Sequence, residues 1–221
     1  MLSIWVLKRV IITGGTGGLG KSISKQFNAV GWEILALGRN DLDLKNSLAV
    51  DSFFSANDCD LLICAAGVID DQPLSKMNES SWDEIYEINF LTAKKCALAA
   101  ILTMSKKNKG HVIFISSYAA KDPAMGQAAY ATAKASMLGL TKDLAFKYGS
   151  SHIRVNAILP GFMETPMTEN VSEKRKHEVR QLHAIDEFNT PDIVAEFILF
   201  LEEHMPYTSG QIFQLDSRPS F

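Results

Sequence analysis

The chain has 221 residues, 47% of them hydrophobic and 21% charged. That balance fits an ordinary globular protein with a substantial core. A formal net charge of −3 gives no electrostatic reason to expect nucleic acid or an anionic membrane as a partner. The three cysteines, Cys59, Cys64 and Cys96, are sparse and lack metal-type spacing, so they make neither a disulfide framework nor a metal site and fit a reducing compartment.

The first residues, Met1 to Leu7, are apolar, but Lys8 and Arg9 follow them rather than precede them. This is the wrong order for a secretory signal, and no apolar run is long enough to span a bilayer. A cytoplasmic protein with no membrane partner is expected.

Short apolar runs then alternate with longer helix-like stretches, the pattern of a parallel sheet covered on both faces. The expected fold is α/β: one doubly wound, mainly parallel sheet of Rossmann type, in a single domain spanning residues 1–221. The first strand, Val10–Thr13, runs into glycines at 14, 15, 17, 18 and 20, with Thr16 and Leu19 between them, and a helix over 19–30. Glycine lets a backbone turn sharply and approach a pyrophosphate, and the free N–H groups at the following helix start attract the anion. Gly14, Thr16, Gly18, Leu19 and Gly20 are therefore candidates for cofactor binding. A flexible turn is the bland alternative, and the position after the first strand disfavours it.

The second strand is Glu33–Leu37. An acid at its end would bind the ribose 2′-hydroxyl of NAD, but Gly38-Arg39 stands there. A guanidinium pairs with a 2′-phosphate, so Arg39 favours NADP over NAD. Only Gly38-Arg39-Asn40 separates this strand from Asp41-Leu42-Asp43-Leu44, too little for a crossover helix. Asp41–Leu44 reads as a degenerate strand joined by a bare loop, the other reading being a trimmed sheet. A helix over 46–56 and the strand Leu61–Ala65 follow.

A long helical stretch over 81–106 contains Asn89, a mediocre helix former. The strand His111–Ser116 carries Ser117 past its end, toward the sheet edge where ligands bind in open α/β sheets. A helix over 128–149 places Tyr130 and Lys134 four residues apart, on one face. The strand Arg154–Leu159 ends at Pro160-Gly161. The stretch 162–183 has the look of a substrate lid, with Phe162, Met163 and Met167 joining Tyr118 and Met125 over an apolar substrate. Lys174-Arg175-Lys176 reads as a solvated helix face, the alternative being a patch that attracts an acidic carrier protein. His177 and His183 read as exposed residues on opposite helix faces. Thr190-Pro191 opens a helix over 190–203, and Gln211–Leu215 is the last strand.

In order, Thr13-Gly14, Cys64-Ala65-Ala66-Gly67, Asn89, Ser116-Ser117, Tyr130-Ala131-Thr132-Ala133-Lys134, Pro160-Gly161, Thr165 and Ser209-Gly210-Gln211 make the chain resemble the short-chain dehydrogenase/reductase superfamily. The general likeness is to 3-oxoacyl-carrier-protein reductases and related ketoreductases. The resemblance implies a nicotinamide cofactor held by the glycine turn, Asp43, Leu44, Ala65, Ala66, Gly67, Thr165, Tyr130 and Lys134. It implies a small carbonyl or alcohol substrate, free or carrier-linked, and a homotetramer or homodimer, for which Ala97, Leu98, Ile101, Leu138 and Phe146 offer apolar faces.

Within it, Tyr130 is the proton donor, and the Lys134 ammonium and the nicotinamide charge lower the phenol from its ordinary value. Ser117 hydrogen-bonds the developing alkoxide, and its spacing to Tyr130 favours it over Ser116. The family places Asn89 in a water-mediated relay to Lys134. Cys64 departs from the family's usual Asn. The alternative is a catalytically silent nucleotide sensor of the same fold.

Overall fold

A computed structural model of the chain describes residues 7–219, so the reading of Met1–Val6 as the start of a non-secretory chain lies outside the described residues. Six strands form one sheet: β1 (Arg9–Thr13), β2 (Glu33–Leu37), β3 (Leu61–Cys64), β4 (Gly110–Ile115), β5 (Ile153–Pro160) and β6 (Ile212–Leu215). All pairings are parallel, in the order β2-β1-β3-β4-β5-β6. The chain leaves β1 toward one edge and crosses back over it to form β3. The carboxyl ends of β1 and β3 therefore flank a topological switch point, the place where open α/β sheets leave a crevice for ligands.

The strands read as unbroken apolar runs because both faces of the sheet are covered. Val10, Ile12, Leu61, Ile63, Ile113 and Ile158 point into one core layer, closed by α1 (Gly18–Ala29) and α7 (Pro191–His204). Ile11, Leu62, Val112, Phe114, Val155 and Ala157 point into the other, under α2 (Ser47–Ala56), α4 (Thr92–Lys107) and α5 (Ala128–Tyr148). The period of two along each strand sorts neighbours onto opposite faces. Each covering helix brings a matching stripe, such as Ile23 and Phe27 on α1 or Val194, Ile198 and Leu201 on α7. Thr190 accepts from the N–H of Ile193 at 3.3 Å, with Pro191 at the first helical position, as its sequence suggests. Ala97 and Ile101 are fully buried in this core, so they are not available as outer faces. Phe146 is almost fully exposed.

Two local expectations change. Asp41–Leu44 forms no strand, and β2 is the sheet edge. The Asp41 carboxylate accepts from the N–H of Gly38 at 2.7 Å and that of Asp43 from Lys45 at 3.0 Å. Such side-chain-to-backbone bonds fold the segment into turns and compete with a strand, while Leu42 and Leu44 pack against the core.

The stretch over 81–106 is also not one regular helix. It comprises α3 (Glu79–Tyr86), a π-helical turn at Glu87–Leu91 and α4. A short α6 (Glu173–Arg180), started by Ser172, whose hydroxyl accepts from Arg175 N–H, lies within the 162–183 stretch. Among the described residues, no helix is long and apolar enough to cross a membrane.

Candidate active site

The turn after β1 is built for close backbone approach. Gly14 has φ +69°, and a Cβ there would lie 2.7 Å from the nitrogen of Ala66; a Cβ on Gly20 would lie 2.4 Å from the carbonyl oxygen of Gly14. Only glycine fits either place. Helix α1 starts at Gly18 with no side-chain cap, so the first-turn N–H groups of Gly18, Leu19 and Gly20 lack the partners that an intact helix supplies. A glycine cradle and an uncapped helix start together suit a pyrophosphate.

Beside this turn lies a cavity of about 750 Å³, lined by Gly14, Thr16, Arg39, Asp43, Leu44, and Ala65 through Ile69. Arg39 sits exposed on its wall. Lys45 and Ile88, which carry no motif, line it too. Gly18, Leu19 and Gly20 are not on that wall. Leu19 packs into the α1–α7 core layer, and a Cβ on Gly18 would lie 3.0 Å from Thr165, which places Thr165 against the helix start.

A second cavity of about 560 Å³ meets the first at Ile69 and Met167. Ser117, Tyr118, Met125, Tyr130, Phe162, Met163 and Met167 line it. Every apolar residue that the sequence suggested for covering a substrate is therefore on its wall.

The two serines after β4 have opposite fates. Ser116 is buried and donates its hydroxyl to the carbonyl of Lys134 at 2.8 Å. Ser117 faces the cavity, and its Oγ accepts from the N–H of Ala119 at 3.2 Å. Lys134 is only 4% exposed. Its Nζ donates to the carbonyl of Ile115 at 2.9 Å and lies 5.6 Å from the Tyr130 ring centroid.

Burial pushes the Lys134 ammonium down to about 8. Burial also pushes the Tyr130 phenol up to about 12, against a downward pull from Ser117 and with an upward push from Asp71. The lowering expected from Lys134 is thus not realised in the chain by itself. Loss of water around a phenolate outweighs an ammonium that is turned toward a carbonyl.

Asn89 is fully buried in the π turn. Its amide nitrogen donates to the carbonyls of Val68 at 2.8 Å and Ile85 at 2.9 Å, and its oxygen accepts from the N–H of Val68 at 3.2 Å. It thereby holds the loop after β3. A Cβ on Gly67 would lie 2.7 Å from the Asn89 oxygen and 3.5 Å from Lys134 Nζ, so Asn89, Gly67 and Lys134 converge. Cys64 is buried in the core layer beneath, its Sγ 3.7 Å from the carbonyl of Ala93.

The histidine reading needs one correction. His177 is exposed, but His183 is buried and lies beyond the end of α6. Its Nδ1 lies 2.9 Å from the carbonyl of Val179, and its ring packs edge-on against Phe188. No cluster of metal-ligating residues exists among the described residues. Arg175, read as part of a solvated face, also lines the substrate-side cavity. Asp71, Gln127 and Arg218 line it as well. Gln127 at the start of α5 donates to Asp71 at 2.9 Å. Gln127 lies three residues before Tyr130 and offered a signal by position; Arg218 offered none.

Comparison with known proteins agrees with this geometry. Residues 42–217 match the family model described as enoyl-(acyl carrier protein) reductase. The chain is 30% identical to a 3-oxoacyl-[acyl-carrier-protein] reductase of Rickettsia typhi, covering 92% of this chain and 93% of the relative. It is 31% identical to the protein of that name in Chlamydia muridarum, covering 98% of each. The chain belongs to the short-chain dehydrogenase/reductase family.

This oxidoreductase also superposes on a short-chain dehydrogenase/reductase-family oxidoreductase from Burkholderia thailandensis, with a TM-score of 0.88, 25% identity, and 96% of this chain and 92% of the other covered. The aldohexose dehydrogenase of Thermoplasma acidophilum, at 24% identity and a TM-score of 0.88 over 96% and 93% of the chains, shares its fold.

Proposed function

We propose that the chain is an NADP-dependent ketoreductase that interconverts a carbonyl and a secondary alcohol through Tyr130. The observation that carries this reading is the meeting of two cavities at Ile69 and Met167, one beside the glycine turn and the other holding Ser117 and Tyr130. A nicotinamide cofactor held along the first cavity and reaching the second would supply a hydride to the carbonyl carbon, or take it back from the alcohol carbon. The relatives' names make a 3-oxoacyl thioester the leading substrate class.

The chain's own residues divide the remaining work. The Ser117 hydroxyl donates a hydrogen bond to the carbonyl oxygen and stabilises charge as it develops there. Tyr130 gives that oxygen its proton, and in the reverse direction takes the proton back. Lys134, clamped to Ile115, keeps a positive charge behind the phenol and would hold the cofactor's ribose. Asn89 positions the loop carrying Gly67 and leads protons toward Lys134 through water. Arg39 would hold the 2′-phosphate, and Thr165, from the lid at residues 162–183, would hold the cofactor beside the start of α1. The whole chain acts as one domain and assembles as a homodimer or homotetramer.

The test is NADPH oxidation against 3-oxoacyl thioesters, small ketones, quinones and keto-sugars, with Tyr130→Phe beside the parent. Turnover is expected on the thioester class and a fall of about 10²–10⁴ in Tyr130→Phe, the usual contribution of a general acid. Parent-like turnover in a folded, NADPH-binding Tyr130→Phe variant would refute the assignment. NADPH binding with no turnover across the panel would point to the silent nucleotide sensor.

A further inference from the structure

The substrate-side cavity contains a cation that the proton-transfer group does not use. Arg218, beyond β6, has a side chain only 12% exposed, and its Cζ lies 3.4 Å from the centroid of the Tyr118 ring. Tyr118 is the residue after Ser117. The guanidinium is held from behind by Asp216, whose side chain is 1% exposed. Nε and Nη2 of Arg218 both lie 2.6 Å from Asp216 Oδ2. Asp216 Oδ1 accepts from Gln214 at 2.8 Å and from the Arg218 N–H at 3.2 Å.

Gly161 sets the height of this segment, since a Cβ there would lie 2.6 Å from that of Asp216. Nη1 of Arg218 has no hydrogen-bond partner among the described residues, and Arg218 forms part of the cavity wall. A guanidinium carries five donors in a fixed plane, so stacking on Tyr118 and pairing with Asp216 lock its orientation and leave donors for a ligand.

Other charges around the cavity are already engaged. Asp71 accepts from Gln127 at 2.9 Å, and Asp122 from the Tyr118 hydroxyl at 3.3 Å. Arg175 pairs with Glu178 at 3.1 Å. Arg218 is thus the buried, oriented donor group with capacity to spare.

We infer that Arg218 is a specificity-determining residue that binds an anionic oxygen group, carboxylate or phosphate, on an oxo substrate whose carbonyl sits at Ser117 and Tyr130. This rests on the ketoreductase reading and departs from it in substrate class, since a 3-oxoacyl thioester carries no carboxylate beside its carbonyl. Planar guanidinium donors match both groups. The remaining wall, from Met125, Met163 and Phe162, suits an apolar body between the two ends.

The experiment is calorimetric binding of two matched pairs to the whole chain, with and without NADP+. One pair is 3-oxohexanoate and its neutral methyl ester; the other is dihydroxyacetone phosphate and dihydroxyacetone. The anionic member of one pair should bind about tenfold or more tightly than its neutral partner, the scale of a charge-assisted hydrogen bond. The pair that discriminates identifies the anion as carboxylate or phosphate.

Arg218→Met should erase the preference, and Arg218→Lys should keep part of it. Because Arg218→Met leaves Asp216 buried without its partner, Arg218→Met combined with Asp216→Asn is measured beside it, with folding checked by circular dichroism. Equal binding of charged and neutral members, no binding of any of the four, or a preference that survives both Arg218→Met variants would overturn the inference. Anion preference without NADPH-dependent turnover would sink the ketoreductase reading and leave this site standing. NADPH-dependent turnover with equal binding of the charged and neutral members of each pair would do the reverse.

Discussion

The Lys134 ammonium donates to the main-chain carbonyl of Ile115 at 2.9 Å, while the Lys134 carbonyl accepts from the Ser116 hydroxyl at 2.8 Å. Two opposed bonds therefore clamp helix α5 to the end of β4. The helix carries Tyr130, the strand delivers Ser117, and the clamp sets one against the other.

Burial of that ammonium makes pH dependence testable. The Lys134 value of about 8 means that its charge is lost as pH rises through 8. The kcat/KM for NADPH should fall above that point, and the Tyr130 phenol at about 12 is too high to cause it. Lys134→Arg keeps the charge and should move the alkaline limb upward, at a reduced plateau. An unmoved limb would assign it elsewhere. The same burial affects stability: the folded value lies below the ordinary 10.5, so the unfolded chain holds more protons between about 8 and 10.5, and this group's contribution to stability should rise across that window.

Gly67→Ala forces a methyl group to within 2.7 Å of the Asn89 oxygen. It should cost about 1–3 kcal/mol, the range for overpacking a filled site, and should lower turnover by moving Asn89 and Lys134. Gly139→Ala is the matched control: nothing lies within 4 Å of its Cβ position on the solvent side of α5, and a helical Gly→Ala change there should add roughly 0.5–1 kcal/mol. Urea unfolding of both variants checks the pair. Equal effects would mean that the Gly67 contact is slack.

If Arg39 holds the 2′-phosphate as proposed, Arg39→Asp should turn the preference from NADPH toward NADH. The change would remove a charge-assisted contact of about 1.5–3 kcal/mol and set a carboxylate against the phosphate. The measurement is the ratio of Kd for NADPH and NADH in parent and variant. An unchanged ratio would remove Arg39 from the cofactor site.

Acid should weaken the fold where β4 and β5 meet α7. His111 Nδ1 lies 2.8 Å from Glu202, and its Nε2 lies 3.0 Å from the Asn156 amide nitrogen. That nitrogen can only donate, so Nε2 accepts and the proton sits on Nδ1. Burial holds His111 below its ordinary 6.5, while its partners hold Glu202 below the usual carboxylate range. A depressed histidine contributes stability above its unfolded value that is lost as pH falls, and a depressed carboxylate acts in the same direction. Urea midpoints should therefore drop between pH 7 and 5, and less steeply in His111→Gln.

The strands were legible because a sheet covered on both sides needs continuous apolar runs such as Val112-Ile113-Phe114-Ile115. The glycine turn and the cap at Thr190 were legible because their chemistry is local. Asp41–Leu44 misled because Leu42 and Leu44 alternate as a strand does, while the bonds from Asp41 and Asp43 that decide its shape are turn chemistry. The burial of His183 and the place of Arg218 depend on contacts between segments distant in sequence. No spacing rule records such contacts.

The π turn at Glu87–Leu91 has a consequence for the whole helical rod. One extra residue in a helix advances every later side chain by about 100° around the axis. Ile85 before the turn, Asn89 within it and Ala93, Cys96 and Ala97 after it all reach the interior, so the rod keeps a buried side through the extra residue. Deleting one residue here would yield a more regular helix and a worse protein: either Asn89 would rotate away from Val68, or the α4 stripe would turn outward. The irregularity is the joint that allows one rod to serve a polar site at one end and a greasy interior along the rest.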